Sequence, residues 1–107
     1  MKFLYFAVLF ALFSSVAYAQ TVLEVKNNAK NNDTVTVTGK LTQQTDKDKF
    51  IIQDATGEIK IEIEDYIWQQ INVIKPDFNT TYTLTAMVDK EVMEEIELEA
   101  TRIEVAK

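Results

Sequence analysis

Residues 49–64 read Lys-Phe-Ile-Ile-Gln-Asp-Ala-Thr-Gly-Glu-Ile-Lys-Ile-Glu-Ile-Glu, and two short strands joined by a tight turn satisfy that pattern. Ile59, Ile61 and Ile63 alternate with Glu58, Lys60, Glu62 and Glu64. A period of two places one set of side chains in a core and the other in water. Before them, Phe50, Ile52 and Asp54 alternate with Lys49, Ile51 and Gln53. Between the two runs, Asp54, Thr56 and Gly57 supply turn chemistry: an aspartate bonds the backbone two residues on, and glycine accepts a positive φ. Asp54 has the inward parity of its strand, so a buried ligand contact is the functional alternative to this turn role.

The same period extends outward from the hairpin. Val35, Val37, Gly39 and Leu41 alternate with Thr34, Thr36, Thr38 and Lys40, a first strand. Gly39 in mid-strand marks a bulge or bend, which would let one long strand serve both halves of a small barrel. Asp65 is a candidate helix cap, and Tyr66 to Asn72 form a short helix with Ile67, Trp68 and Ile71 on one side, ended before Pro76. Tyr82, Leu84, Ala86 and Val88 give a fourth strand. Ile96, Leu98 and Ala100 give a fifth, whose parity slips to Ile103 and Val105 and so predicts a bulge near Thr101-Arg102. Upstream, residues 20–32 read as a helix, with Thr21 and Glu24 as a capping box and Val22, Val25 and Ala29 on one face. Three strands, a helix and two strands suit a mainly β, five-stranded Greek-key barrel of the oligonucleotide/oligosaccharide-binding (OB) type. An open α+β sheet is the competing architecture.

The first residues differ from the rest. Lys2 is followed by an apolar run from Phe3 to Phe13 and then by Ala17-Tyr18-Ala19. A charged start, an apolar middle and small residues at a cleavage point are the marks of an export leader, cut after Ala19. The run is shorter than the ~20 residues of a membrane span. The expected organisation is a leader over 1–19, a helix and linker over 20–33, and the OB domain over 34–107, in the periplasm and not membrane-spanning once cleaved. Losing Lys2 takes the net charge from −6 to −7. That surface repels phosphate backbones and argues against nucleic acid. Without a cysteine there is neither a lipid-bearing terminus nor a disulfide, and without histidine or cysteine the familiar zinc and nucleophilic triad chemistries are closed.

An ordered set of features now carries a family likeness: Val35-x-Val37-x-Gly39-x-Leu41, Phe50-x-Ile52-x-Asp54-Ala55-Thr56-Gly57-Glu58-Ile59, Trp68, Pro76 and Val88-Asp89-Lys90. In these the chain resembles the bacterial OB-fold family of periplasmic stress-tolerance proteins, the YgiW/YdeI type. The resemblance implies an exported protein that lacks catalytic residues and binds a small ligand or a partner. It supplies no ligand-binding positions.

The residues themselves offer two candidate surfaces and no catalytic, metal or cofactor site. The usual OB face on strands two and three would present Lys49, Ile51, Gln53, Lys60 and Glu62, with residues 46–48 and 90–94 as rims. It carries no row of aromatic rings for stacking bases. Strands three and five are neighbours in an OB barrel. Glu58, Glu62 and Glu64 would therefore face Glu95, Glu97 and Glu99 in an acidic ridge relieved only by Lys60. Like charges across strands cost roughly 0.2–1 kcal/mol per pair, so the ridge implies a cationic ligand: a polyamine, a basic peptide or loosely held divalent ions. Solvated surface acid is the plainer reading. Asp46-Lys47-Asp48 opens like a calcium loop, but Phe50 falls where the next oxygen ligand belongs. Trp68 reads as core ahead of ligand platform. The functional expectation is a non-catalytic binding module in envelope stress tolerance. The alternative is an adaptor docking on an envelope protein or cell-wall glycan.

Overall fold

The computed structural model describes residues 19–91 and 93–107; the leader assigned to 1–19 lies outside them except for Ala19. Helix α1 (Val22–Asn28) leads into β1 (Thr34–Gln44), β2 (Lys49–Asp54) and β3 (Gly57–Glu62). A short α2 (Asp65–Trp68) with a 3-10 turn (Gln69–Ile71) follows, then β4 (Thr81–Asp89) and β5 (Glu97–Val105). The strands close in the order β1-β2-β3-β5-β4, with β4 returning to β1. Closure excludes the open sheet.

Closure depends on β1 changing partners. Residues 34–40 pair with β4, and residues 40–44 pair with β2. The handover falls beside Gly39, where a Cβ would lie 2.3 Å from the Gln53 carbonyl oxygen. Only glycine admits the β2 backbone that closely. The register slip itself lies between Leu41 and Gln43. A second irregularity lies in β5: Thr85 faces Arg102 and Ala86 faces Ala100, so Thr101 is the extra residue. This bulge returns Ile103 to the core. Val105, expected inward, is 51% exposed, because it is the last residue of β5 and stands at the barrel rim opposite Tyr82.

Inside, the alternating residues of all five strands meet Ile67 and Trp68 from α2 and Val22, Val25 and Ala29 from the α1 segment. The Trp68 ring stands edge-on to Phe50 and Tyr82, with centroids 5.9 and 5.4 Å away. Edge-to-face aromatic pairs add about 0.5–1.5 kcal/mol beyond burial. Trp68 is core, as the plainer reading had it.

Both helices are shorter than their sequence patterns implied. α1 stops at Ala29 because the asparagines beyond it are used elsewhere. Asn32, with a left-handed φ of 73°, donates its N–H to Val88 O, and the Val88 N–H donates to Asp33 O. The Asn31 side chain accepts the Lys90 N–H. The supposed linker is thus sewn to the end of β4. α2 is capped at Glu64 rather than Asp65, without a side-chain bond, and its last turn tightens to 3-10 geometry before Asn72 at φ 58°. Gln70 in that turn reaches the β5 bulge: its side chain donates to Thr101 O and accepts the Ile103 N–H. These two bonds replace ladder bonds that the extra residue disrupts.

Candidate functional site

Both carboxylate oxygens of Asp54 are hydrogen-bonded within the fold. One carboxylate oxygen accepts the N–H of Thr56 (2.8 Å), the hydroxyl of Thr56 (2.6 Å) and the N–H of Gly57 (3.2 Å). The other accepts the N–H of Val22 at 2.9 Å. The Thr56 hydroxyl oxygen accepts the N–H of Leu23 (3.0 Å), and the Thr21–Glu24 capping box holds the next free N–H. The β2–β3 turn therefore caps the first turn of α1, so the hairpin and the helix are one unit. Burial pushes the Asp54 carboxyl up, but the bonds from Thr56, Val22 and Gly57 outweigh it and hold it below its usual value. Gly57 itself has φ 156°. Asp54, Thr56 and Gly57 form the β2–β3 turn, and the Asp54 carboxylate also caps α1.

The OB face and the acidic ridge coincide. In register, Lys49 lies beside Glu62 and Glu62 beside Glu99; Ile51 lies beside Lys60 and Lys60 beside Glu97; Gln53 lies beside Glu58. The outward residues of β2, β3 and β5 thus form one surface.

The ridge differs from its expected form in three respects. Lys60 is not its sole relief, because the Lys49 ammonium crosses from β2 to Glu97 at 2.5 Å. Lys60 meets Glu95 at 3.3 Å, and Glu95 precedes β5 rather than extending it. Glu64 has left the sheet for the α2 cap. Long lysine side chains reach diagonal neighbours, which alternation along single strands does not reveal. Glu58 stays exposed, and its carbonyl accepts the Lys26 ammonium (2.8 Å).

These pairings leave Glu62 and Glu99 adjacent in register, with no ion pair to either among the described residues. Burial is the largest influence on Glu62 and pushes its carboxyl up. The Lys49 charge opposes this, Glu64, Glu99 and Glu97 reinforce it, and the result lies above the usual value. Lys49 is raised in turn, first by its hydrogen bond to Glu97. Chemically the surface is a two-lysine, glutamate-rich patch with one carboxylate pair that makes no ion pair among the described residues. It is half open to water, so its ion pairs contribute little to stability. Among the described residues, no group of three carboxylates is placed to hold a metal ion.

Sequence patterns did not point to a shallow depression of about 220 Å³ at the foot of α2, lined by Asp65, Trp68, Gln69, Val73 and Ile74. Ile74 on its rim is 97% exposed. A lone exposed isoleucine in a loop gives no periodic signal.

With the barrel and its faces described, comparison with known proteins gives the class. A family model described as "Bacterial OB fold (BOF) protein" matches residues 12–105, and the chain belongs to that family. It is 38% identical over 95 residues to an uncharacterized protein of Haemophilus influenzae, covering 89% of this chain and 76% of that one. Among solved structures it is similar to the hypothetical protein ygiW from E. coli, with a TM-score of 0.75 at 22% identity over 84% of this chain and 91% of that one. It is also similar to the telomere capping protein Ten1 from Saccharomyces pombe, with a TM-score of 0.55 at 9% identity over 85% and 82% of the two chains. At these identities the structural likenesses establish the fold alone.

Proposed function

We propose that this chain is an exported, non-catalytic binding module serving envelope stress tolerance, with the outer face of β2, β3 and β5 as its contact surface for a small polyvalent cation. Membership of the bacterial OB-fold family supports a small binding module. Export to the periplasm rests on the leader and its Ala17-Tyr18-Ala19 cleavage point. The stress role rests on the family resemblance.

The observation that carries the site is the pair Glu62 and Glu99, side by side on a face where Lys49 and Lys60 are already committed to Glu97 and Glu95. Two adjacent carboxylates without an ion pair of their own among the described residues, eased only by the nearby Lys49 charge, favour a ligand bearing two or more amines, a polyamine being the simplest. Nucleic acid is disfavoured by the same carboxylates and by the absence of stacking rings on that face. Catalysis is disfavoured by an open surface and a chain without histidine or cysteine.

A thermal-shift series on the cleaved protein with polyamines, divalent cations and basic peptides tests this reading. A ligand at 100 times its dissociation constant adds about 2.7 kcal/mol. Stabilisation by amines, weakened by salt, supports the proposal. The second reading, an adaptor docking on an envelope protein or cell-wall glycan, is favoured by exposed Ile74 beside the α2 depression. No shift with any cation, together with crosslinks through Ile74 and its neighbours, would favour it instead.

A further inference from the structure

We propose that Gln20 is a modification site, converted to an amino-terminal pyroglutamate in the secreted protein. This rests on the export reading above, which makes Gln20 the first residue after cleavage at Ala19.

The structure holds both ends of Gln20 against one residue. Its main-chain N–H donates to Thr36 O at 2.6 Å, and its side-chain Oε1 accepts the Thr36 N–H at 3.3 Å. β2 pairs with β1 only from Lys40 onward, so on this edge the Thr36 groups are satisfied by Gln20. The main-chain nitrogen and the carboxamide carbonyl therefore converge within the span of a single residue of β1. The side-chain nitrogen, by contrast, makes no hydrogen bond among the described residues.

Cleavage turns the main-chain nitrogen into an amine. In its unprotonated form its lone pair attacks the side-chain Cδ, and a five-membered lactam closes with a new N–Cδ bond. The Cδ–Nε2 bond breaks, and Nε2 leaves as ammonia, carrying off the proton that the amine releases. No oxidant, reductant or further reactant enters. The product keeps one N–H and one C=O, the two groups that bond to Thr36, and discards only the nitrogen the fold does not use. The reaction also replaces an amine that can carry charge by a neutral donor.

Intact mass and end-group chemistry of the secreted protein test this. The expected result is a chain lighter by one ammonia than one beginning with Gln20. Its terminus should resist amine reagents and be opened by a pyroglutamyl peptidase. The Gln20→Glu variant keeps an acceptor for Thr36 but offers a carboxylate, a far poorer acyl group; it should fold alike and retain a free amine. A secreted wild-type chain that begins with unmodified Gln20 overturns the proposal while leaving the export reading intact. A terminus at any other residue overturns both.

Discussion

The carboxylate of Asp54 accepts the main-chain N–H of Val22 across 32 positions of sequence, at 2.9 Å. A seven-residue helix such as α1 is too short to persist alone. What holds it is this bond, the Thr56 hydroxyl on Leu23, and the burial of Val22 and Val25, which contribute roughly 1.5–3 kcal/mol each. Asp54→Asn should therefore cost about 1–2 kcal/mol of stability, and amide exchange in α1 should rise more than in β4. Because the folded carboxyl is held below its ordinary value of 3.8, its contribution is complete above that pH. It disappears as pH falls through the lower, folded value. Urea midpoints from pH 6 down to about pH 2 should converge for the wild type and the variant.

Gly39 is the tightest point of the barrel. A Cβ there meets the Gln53 carbonyl oxygen at 2.3 Å, and backbone cannot swing aside as a side chain can. Gly39→Ala should destabilise by about 3 kcal/mol, read as a lower denaturant midpoint. Gly57→Ala has ordinary space, with Val22 at 3.8 Å, and would suffer only from its φ of 156°.

Glu62 is the carboxylate that the outer face stabilises least. Its folded value is raised above 4.5, first by burial. Such a group favours folding below 4.5, and that advantage is lost as pH rises through the folded value. Glu62→Gln should accordingly stabilise the free protein near neutrality by about 0.2–1 kcal/mol, and the gain should vanish below pH 4.5. Thermal melts across pH read this directly. A variant that is less stable at neutral pH would contradict the electrostatics described here.

Much of the fold is legible in the sequence because one sheet face is buried throughout. Phe50, Ile52, Ile59 and Ile61 declare their parity, and Thr101-Arg102 declares where that of β5 breaks, whereas Gly39 marks the handover of β1 between partners and not the slip between Leu41 and Gln43. The contacts that join elements are not legible. Nothing local marks Gln70 as the residue that mends the β5 bulge, or Asp54 as a cap for a helix that precedes it by 32 positions. The outer face shows the same divide. Alternation identified which side chains point out, but the reach of Lys49 to Glu97 depends on three strands lying side by side. Among the described residues, the carboxylates without an ion pair on this face therefore narrow from a whole ridge to Glu62 and Glu99 as its adjacent pair.

The most direct test of the binding face is a calorimetric titration of the cleaved protein with spermine at low and high salt, for the wild type and for Glu62→Gln with Glu99→Gln. The account predicts measurable, salt-sensitive binding by the wild type, weakened at least about tenfold (1.4 kcal/mol) in the double variant. Spermine binding that is absent, or equal in the two proteins, would contradict it.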